Sequence, residues 1–466
     1  MMATRLGLIG CALVLAGCAS ATAFRVDRSD VIGQCQTAVP DRDVLLGVAL
    51  SGGGSRAALF GAAGLEALAK LRTADGASVI DKISHLSSVS GGSIAAAYCA
   101  LKKPGHDVKV LNADGTLSEA YRTFFETSRT DLSQDFESSL IWRQLLSFRW
   151  LNSALAASTL AEILNQRLYG PTRLQDISAR EKAGDSPGLI INTTLYNNGR
   201  RLALTSLPSE AFSYDFFADL DRSLRERGRT FDESSISRER WNRLRPMTPI
   251  EINIDPCPAN LAGSVTASAS FPPLVGPLTL KIGDEDTYWH AGDGGLYENQ
   301  GLESLILLYL KQLQLKRSKR ALMILFDSSF PFAVGERRLL KRATPFSLLS
   351  FDFSRIPSIM EERATTYQTL FFQTLQIEGV FPDSKTIAVV NLRHTDAKWA
   401  ADLSDLPPAC RAEATPLETP QEVRERIAEI PTRLVLSGEC DRQLLFTAAS
   451  KLVEEHRDRI LQFLDR

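Results

Sequence analysis

Past its first residues the chain has no apolar run long enough to cross a bilayer, no stripe of Lys and Arg interleaved with aromatics, and no CxxC pair. The first absence argues against a membrane-spanning body, since a spanning helix needs about 20 apolar residues. The second, with a formal net charge of −2, removes the electrostatic basis for binding nucleic acid. The third, with no His at ligand spacing from the cysteines, argues against a zinc site. What is present suits a globular enzyme: 466 residues, 44% hydrophobic and 23% charged, without internal repeat or low-complexity tract.

The chain opens M-M-A-T-R-L-G-L-I-G-C-A-L-V-L-A-G-C. Arg5 precedes a short apolar run ending in Leu15-Ala16-Gly17-Cys18, which is built like a secretory signal. The box ending in Cys18 resembles the lipobox of bacterial lipoproteins, which implies removal of residues 1–17 and acylation at Cys18. One or two acyl chains hold a protein at a bilayer without spanning it. The expectation is a lipid-anchored protein of the bacterial cell envelope, at the outer membrane facing the periplasm, with residues 18–41 as a polar tether. Export also places the cysteines in an oxidising compartment. Cys99 falls in a predicted helix and reads as a buried free thiol. Cys35, Cys257, Cys410 and Cys440 allow three pairings, of which Cys410 with Cys440 is favoured because they flank one loop.

The stretch that organises the chain is Ile83 to Tyr98, I-S-H-L-S-S-V-S-G-G-S-I-A-A-A-Y. Apolar, β-compatible residues lead into Ser90, two glycines and an Ala-rich segment, so it reads as strand, sharp turn, helix. A serine at such a turn is pushed clear of the backbone, and the positions two before and two after it, Ser88 and Gly92, must be small. Ser90 is therefore the candidate nucleophile. Upstream, Val44 to Leu50 is a continuous apolar run, as in a strand buried on both faces of a parallel sheet. It ends in Ser51-Gly52-Gly53-Gly54-Ser55-Arg56 and passes into a helical pattern, the layout of a backbone anion cradle. The glycine and lysine spacing of a nucleotide loop is not met, which favours an oxyanion hole. Arg56 would brace that loop or contact a substrate phosphate. Loops after adjacent βα units gather on one sheet edge, so both should face one pocket.

Farther on, Leu117 to Tyr169 is helical in pattern and rich in large apolar groups, among them Phe124, Phe136, Trp142 and Trp150. It reads either as helix packed on the core or as an acyl-chain wall. Gly188 to Thr194 and Arg201 to Thr205 form a predicted hairpin turning at Asn197-Asn198-Gly199. Asp219 to Arg245 reads as an exposed helical insertion, and Ser264 to Phe271 as a helix stopped by Pro272-Pro273. Tyr288 to Asp293 leads into Gly294-Gly295, which presents a carboxylate on bare backbone. Arg320 to Asp327 and Ile387 to Leu392 supply further buried strands. Pro345 to Leu375 is a long helical stretch and Arg442 to Leu464 an amphipathic helix.

Taken in order, S-G-G-G-S-R at Ser51, S-V-S-G-G at Ser88 and D-G-G at Asp293 resemble the patatin-like phospholipase family, and the first is also similar to cytosolic phospholipases. The A-S-A-S-F-P-P and N-T-T-L-Y-N-N-G-R-R stretches add to the likeness, which covers about Val44 to Leu310. The resemblance implies an α/β fold, a three-layer sandwich with a central, mostly parallel sheet flanked by helices. Its domain would run over residues 42–312, with a helical insertion at about 117–170 and residues 313–466 completing or covering it. It further implies fatty-acyl ester hydrolysis of membrane lipids through an acyl-enzyme. Ser90 would be the nucleophile, Asp293 the base, and Gly52, Gly53 and Gly54 the oxyanion hole, with Arg56, Gly92, Gly294 and Gly295 in support and no cofactor or metal. Two departures stand out: Ser88 occupies the place of the usual elbow glycine, and Ala57 follows the loop. The competing readings are a Ser-His-Asp esterase with His290 as base, for which His85 and His394 are weaker candidates, and a catalytically weak lipid-binding or scaffolding lipoprotein.

Overall fold

The computed structural model describes residues 24–26, 35–147, 149, 153–230, 238–272, 275–283, 286–329, 355–414, 416–436 and 438–466. Cys18, the apolar run before it, Trp150, Pro273 and the start of the Pro345 stretch lie outside the described residues. A nine-stranded sheet forms the middle layer. Its strands are β1 (Phe24–Val26), β2 (Val44–Leu50), β3 (Ile83–Val89), β4 (Gly188–Leu195), β5 (Arg200–Thr205), β6 (Leu278–Ile282), β7 (Tyr288–Asp293), β8 (Arg320–Asp327) and β9 (Ile387–Arg393). The helices that matter for the site are α1 (Gly54–Ala69), α2 (Gly91–Lys102), α3 (Glu119–Leu132), α4 (Phe136–Leu146), α5 (Ser153–Leu164), α6 (Phe216–Glu226), α7 (Leu261–Ser268), α8 (Leu302–Gln314), α9 (Arg355–Ile377), α10 (Glu439–Glu455) and α11 (Arg457–Asp465).

The sheet order is β1-β6-β7-β4-β3-β2-β8-β9, with β5 on β4, and the run β4-β3-β2-β8-β9 is parallel throughout. Continuous apolar strands are what a sheet covered on both faces requires. Alternation along each strand then divides the core in two. Leu46, Val48 and Leu50 of β2, with Leu322, Ile324 and Phe326 of β8, join one cluster with Leu59 and Phe60 of α1. Leu45 and Ala49, with Met323 and Leu325, join the other with Leu305 and Tyr309 of α8. The result is the three-layer α/β arrangement expected.

Several local expectations are corrected. Residues 18–41 do not act as a free tether where they are described: β1 pairs with β6, Thr37 N–H donates to the Ser206 carbonyl at 3.0 Å, and Cys35 is bonded to Cys257. Asp219 to Arg245 is not exposed throughout, because its first turns, in α6, bury Asp219, Leu220 and Ser223. The C-terminal helix is two, α10 and α11, separated at His456. In Leu117 to Tyr169 both readings find residues: Phe124, Phe125, Phe136 and Leu140 are in the core, while Trp142 is 62% and Leu146 78% exposed. Cys410 and Cys440 form the favoured pair, and Cys99 is a buried free thiol pushed up to about 11 by burial. Among the described residues no helix is long and apolar enough to cross a membrane.

The Cys410–Cys440 bridge closes a separation of 30 residues and anchors α10, which packs along α1. Chain-entropy arithmetic for a loop of that length gives about 3.6 kcal/mol. Replacing both cysteines by alanine should lower the urea midpoint by that equivalent; an unchanged midpoint would contradict the role given to this bridge.

Candidate active site

Strand β4 explains why Ser90 and Asp293 meet. β5 occupies one edge of β4 from Ile190 to Leu195, so β3 and β7 share the other edge. β3 runs parallel to β4 and ends with Val89 opposite Asn192; β7 runs antiparallel and ends with Asp293 opposite Thr193. Two strand ends therefore converge head to head on neighbouring residues of a third strand. Asp293 is held there by the Thr193–Asp293 register, and Thr194 Oγ1 donates to its carbonyl at 2.8 Å.

Ser90 turns out of β3 with φ 51° and ψ −122°, a left-handed geometry that L-residues rarely adopt. Such strain costs on the order of 1–3 kcal/mol and persists only where the surroundings enforce it. They do so here. Ser90 N–H donates to Ser268 Oγ at 2.9 Å, and that hydroxyl donates to the Asn192 carbonyl at 2.5 Å. Asn192 Nδ2 in turn donates to the Ser88 carbonyl at 3.1 Å. Ser88 itself is fully buried with its Oγ donating to the Ile190 carbonyl at 3.3 Å, so the place of the usual glycine accepts a side chain. The hydroxyl of Ser90, half-buried, donates to Asp293 Oδ2 at 2.8 Å. Asp293 Oδ1 accepts the Gly295 N–H at 2.8 Å. Burial raises the Asp293 carboxyl to about 6 against the pull of those two hydrogen bonds.

The glycine loop abuts this turn. A Cβ placed on Gly91 would lie 1.9 Å from the Gly54 carbonyl oxygen, and one on Gly92 2.4 Å from that of Leu50. A Cβ on Gly52 would come within 3.2 Å of Ser90 Cβ. The loop turns with φ 142° at Gly53 and 62° at Gly54, which glycine adopts freely. The expected set of three donors is corrected at Gly52, whose N–H already donates to the Asn299 carbonyl at 2.8 Å. Gly53 and Gly54, at the start of α1, have no N–H acceptor among the described residues, as the first turn of a helix leaves its donors open. Gly294 is close-packed too: a Cβ there would lie 2.5 Å from the Asn192 carbonyl oxygen.

Arg56 braces rather than binds. It is 2% exposed and donates to the Ile430 carbonyl at 2.5 Å, the Ser328 carbonyl at 2.7 Å and Thr432 Oγ1 at 3.1 Å. Burial lowers its guanidinium to about 10, with Glu361 and Asp327 opposing that fall. The histidines are engaged elsewhere. His290 stands three residues before Asp293 on β7, so its side chain leaves the opposite face, and its Nδ1 meets Thr279 Oγ1 at 3.0 Å. His85 lies buried against Tyr309, and His394 against the Asp327 carbonyl.

Sequence reasoning missed Ser268, Asn192, Asn299, Glu361 and the segment Ile430–Arg433, whose Arg433 carbonyl accepts the Ser55 N–H at 2.7 Å. Three of them lay in stretches already singled out for other reasons: Ser268 in the small-residue helix, Asn192 at the head of N-T-T-L-Y-N-N-G-R-R, and Glu361 in the helical stretch Pro345 to Leu375.

With this geometry in hand, a family model described as patatin-like phospholipase matches residues 48–306, more than half of the chain. The chain belongs to the patatin-like phospholipase family. No curated relative matches this patatin-like chain. Among solved structures, human GIVD cytosolic phospholipase A2 is similar at a TM-score of 0.42 and 13% identity, over 90% of this chain and 60% of that one. Its complex with methyl gamma-linolenyl fluorophosphonate gives a TM-score of 0.44 and 15% identity over 91% and 59%. VipD from Legionella pneumophila gives 0.30 and 11% over 90% and 67%. This patatin-like chain thus spans about 60% of the length of the human enzyme.

The closeness of elbow and loop makes a prediction. Gly91→Ala should force α1 and α2 apart and cost about 1–3 kcal/mol, as overpacking does. Thermal melting checks it, and a wild-type Tm would contradict the packing described.

Proposed function

We propose that the chain is a serine acyl hydrolase of the phospholipase or lysophospholipase type, which cleaves fatty-acyl esters through a Ser90–Asp293 dyad. The observation that carries this reading is the 2.8 Å hydrogen bond from a conformationally strained serine hydroxyl to a buried carboxylate. A serine hydroxyl attacks poorly until a base takes its proton. In the first step Ser90 Oγ bonds to the acyl carbonyl carbon while its proton passes to Asp293 Oδ2. The carbonyl oxygen becomes an oxyanion beside the Gly53 and Gly54 N–H groups, where the α1 N-terminus favours negative charge. The ester C–O bond then breaks, and Asp293 gives its proton to the departing alkoxide. Water attacks the acyl-enzyme in turn, losing a proton to Asp293, and the proton returns to Ser90 as the fatty acid leaves. An aspartate raised to about 6 is a better proton acceptor than an ordinary one and is still ionised at neutral pH.

The accommodation of Ser88 removes the feature that motivated a catalytically weak scaffold, and the placement of His290 speaks against a histidine base. Exposed apolar side chains on α4 suit a lipid-facing protein. The lipobox at Cys18 supports tethering to the cell envelope by an acylated cysteine.

Incubated with mixed phospholipids and lysophospholipids, the wild type should release fatty acids identifiable by mass, and Ser90→Ala and Asp293→Asn should each lose at least roughly a thousandfold in rate. Either variant hydrolysing at the wild-type rate would sink the dyad. Because the base must be ionised, kcat/KM should climb as pH rises through about 6 and level off above it; a rate that falls over this range contradicts Asp293 as base. In a bacterial host, Cys18→Ser should move the protein from the membrane fraction to the soluble one, and an unchanged distribution would exclude the anchor.

A further inference from the structure

Asn299 touches both halves of the site. Its carbonyl accepts the Gly52 N–H at 2.8 Å. Its side-chain oxygen fills the space that two glycines leave open: a Cβ on Gly52 would lie 2.0 Å from Asn299 Oδ1, and one on Gly295 2.7 Å from it. The amide is therefore wedged between the glycine loop and the turn that follows Asp293. Its orientation depends on what lies behind it. There Asn299 Nδ2 donates to Glu361 Oε1 at 2.8 Å and to Ser329 Oγ at 3.4 Å. Glu361 Oε1 accepts in this contact, so it draws Nδ2 to itself and leaves Oδ1 toward the glycines.

Glu361 comes from α9, outside residues 48–306 that match the family model. Its carboxyl is raised to about 7 by burial, with Asp327 pushing the same way and Ser329, Asn299 and Arg56 opposing. Arg56 also holds the Ser328 carbonyl, against which a Cβ on Gly53 would lie at 2.9 Å. Loop, helix and strand end thus share one polar cluster.

We propose that Glu361 is a positioning residue for the glycine loop, acting through the Asn299 amide it orients. The inference rests on the acyl-hydrolase reading and adds a part to the same site. Glu361 touches no reacting atom. Its effect is on where the Gly53 and Gly54 donors stand when the oxyanion forms, and interactions made only in the transition state appear in kcat rather than in KM.

Steady-state hydrolysis of p-nitrophenyl octanoate, whose leaving group makes the assay independent of lipid head group, tests this. Glu361→Ala should lower kcat about tenfold with KM unchanged, less than the full loss of one oxyanion donor. Glu361→Gln should recover most of that loss, because its amide oxygen still accepts from Asn299 Nδ2. A merely structural role would lower the melting temperature of both variants without separating kcat from KM. Wild-type kcat in Glu361→Ala, or a Gln variant no faster than the Ala one, would overturn the inference alone. A wild-type rate no higher than that of Ser90→Ala would overturn the hydrolase reading and this inference with it.

Discussion

The site depends on one feature of β4: its edge passes from β3 to β7 between Asn192 and Thr193. A strand edge normally serves one partner. Here the parallel partner stops at Val89 and the antiparallel partner arrives at Asp293, so Ser90 and Asp293, 203 residues apart in sequence, are brought together beside adjacent positions of β4. The Ser90–Asp293 hydrogen bond then needs no long side chain to span a gap. It follows from backbone registers that the whole buried sheet enforces.

Around this junction the chain removes side chains wherever backbones must approach. Gly91 against Gly54, Gly92 against Leu50 and Gly294 against Asn192 each admit carbonyl contacts that a single methyl group would close. The strain at Ser90 is offset by the Ser268 and Asn192 hydrogen bonds, which anchor the turn to both α7 and β4. An unsatisfied buried polar group costs about 1–3 kcal/mol, so a completed network of this kind resists rearrangement more than its separate bonds suggest. Rigid presentation of the hydroxyl is what catalysis by preorganised donors requires.

The sequence made the local parts of this design readable. Strands buried on both faces appear as unbroken apolar runs at Val44 and Arg320, and the turn at Ser90 announces itself by a strand pattern that changes to Ala-rich helix after two glycines. What lay beyond reach was whatever depends on distant partners. Gly52 looks no different from Gly53 until Asn299 arrives to take its N–H. Arg56 was equally compatible with binding a phosphate, and only the carbonyls of Ile430 and Ser328 decide that it braces the loop. In residues 18–41 the described parts, Phe24–Val26 and Cys35 onward, are attached by main-chain pairing and a disulfide to Cys257, contacts that leave no hydrophobic pattern to read. Glu361 sits in a helix whose periodicity says nothing about the one carboxyl that reaches Asn299.

Whether Ser90 is an activated nucleophile can be read most directly from peptide mass mapping after treatment with an alkyl fluorophosphonate. Attack by Ser90 Oγ forms an O–P bond and expels fluoride, so the expected result is a single phosphonyl adduct on the peptide that contains Ser90. An adduct on a different serine, or a Ser90 peptide that stays unmodified at excess reagent, would contradict it.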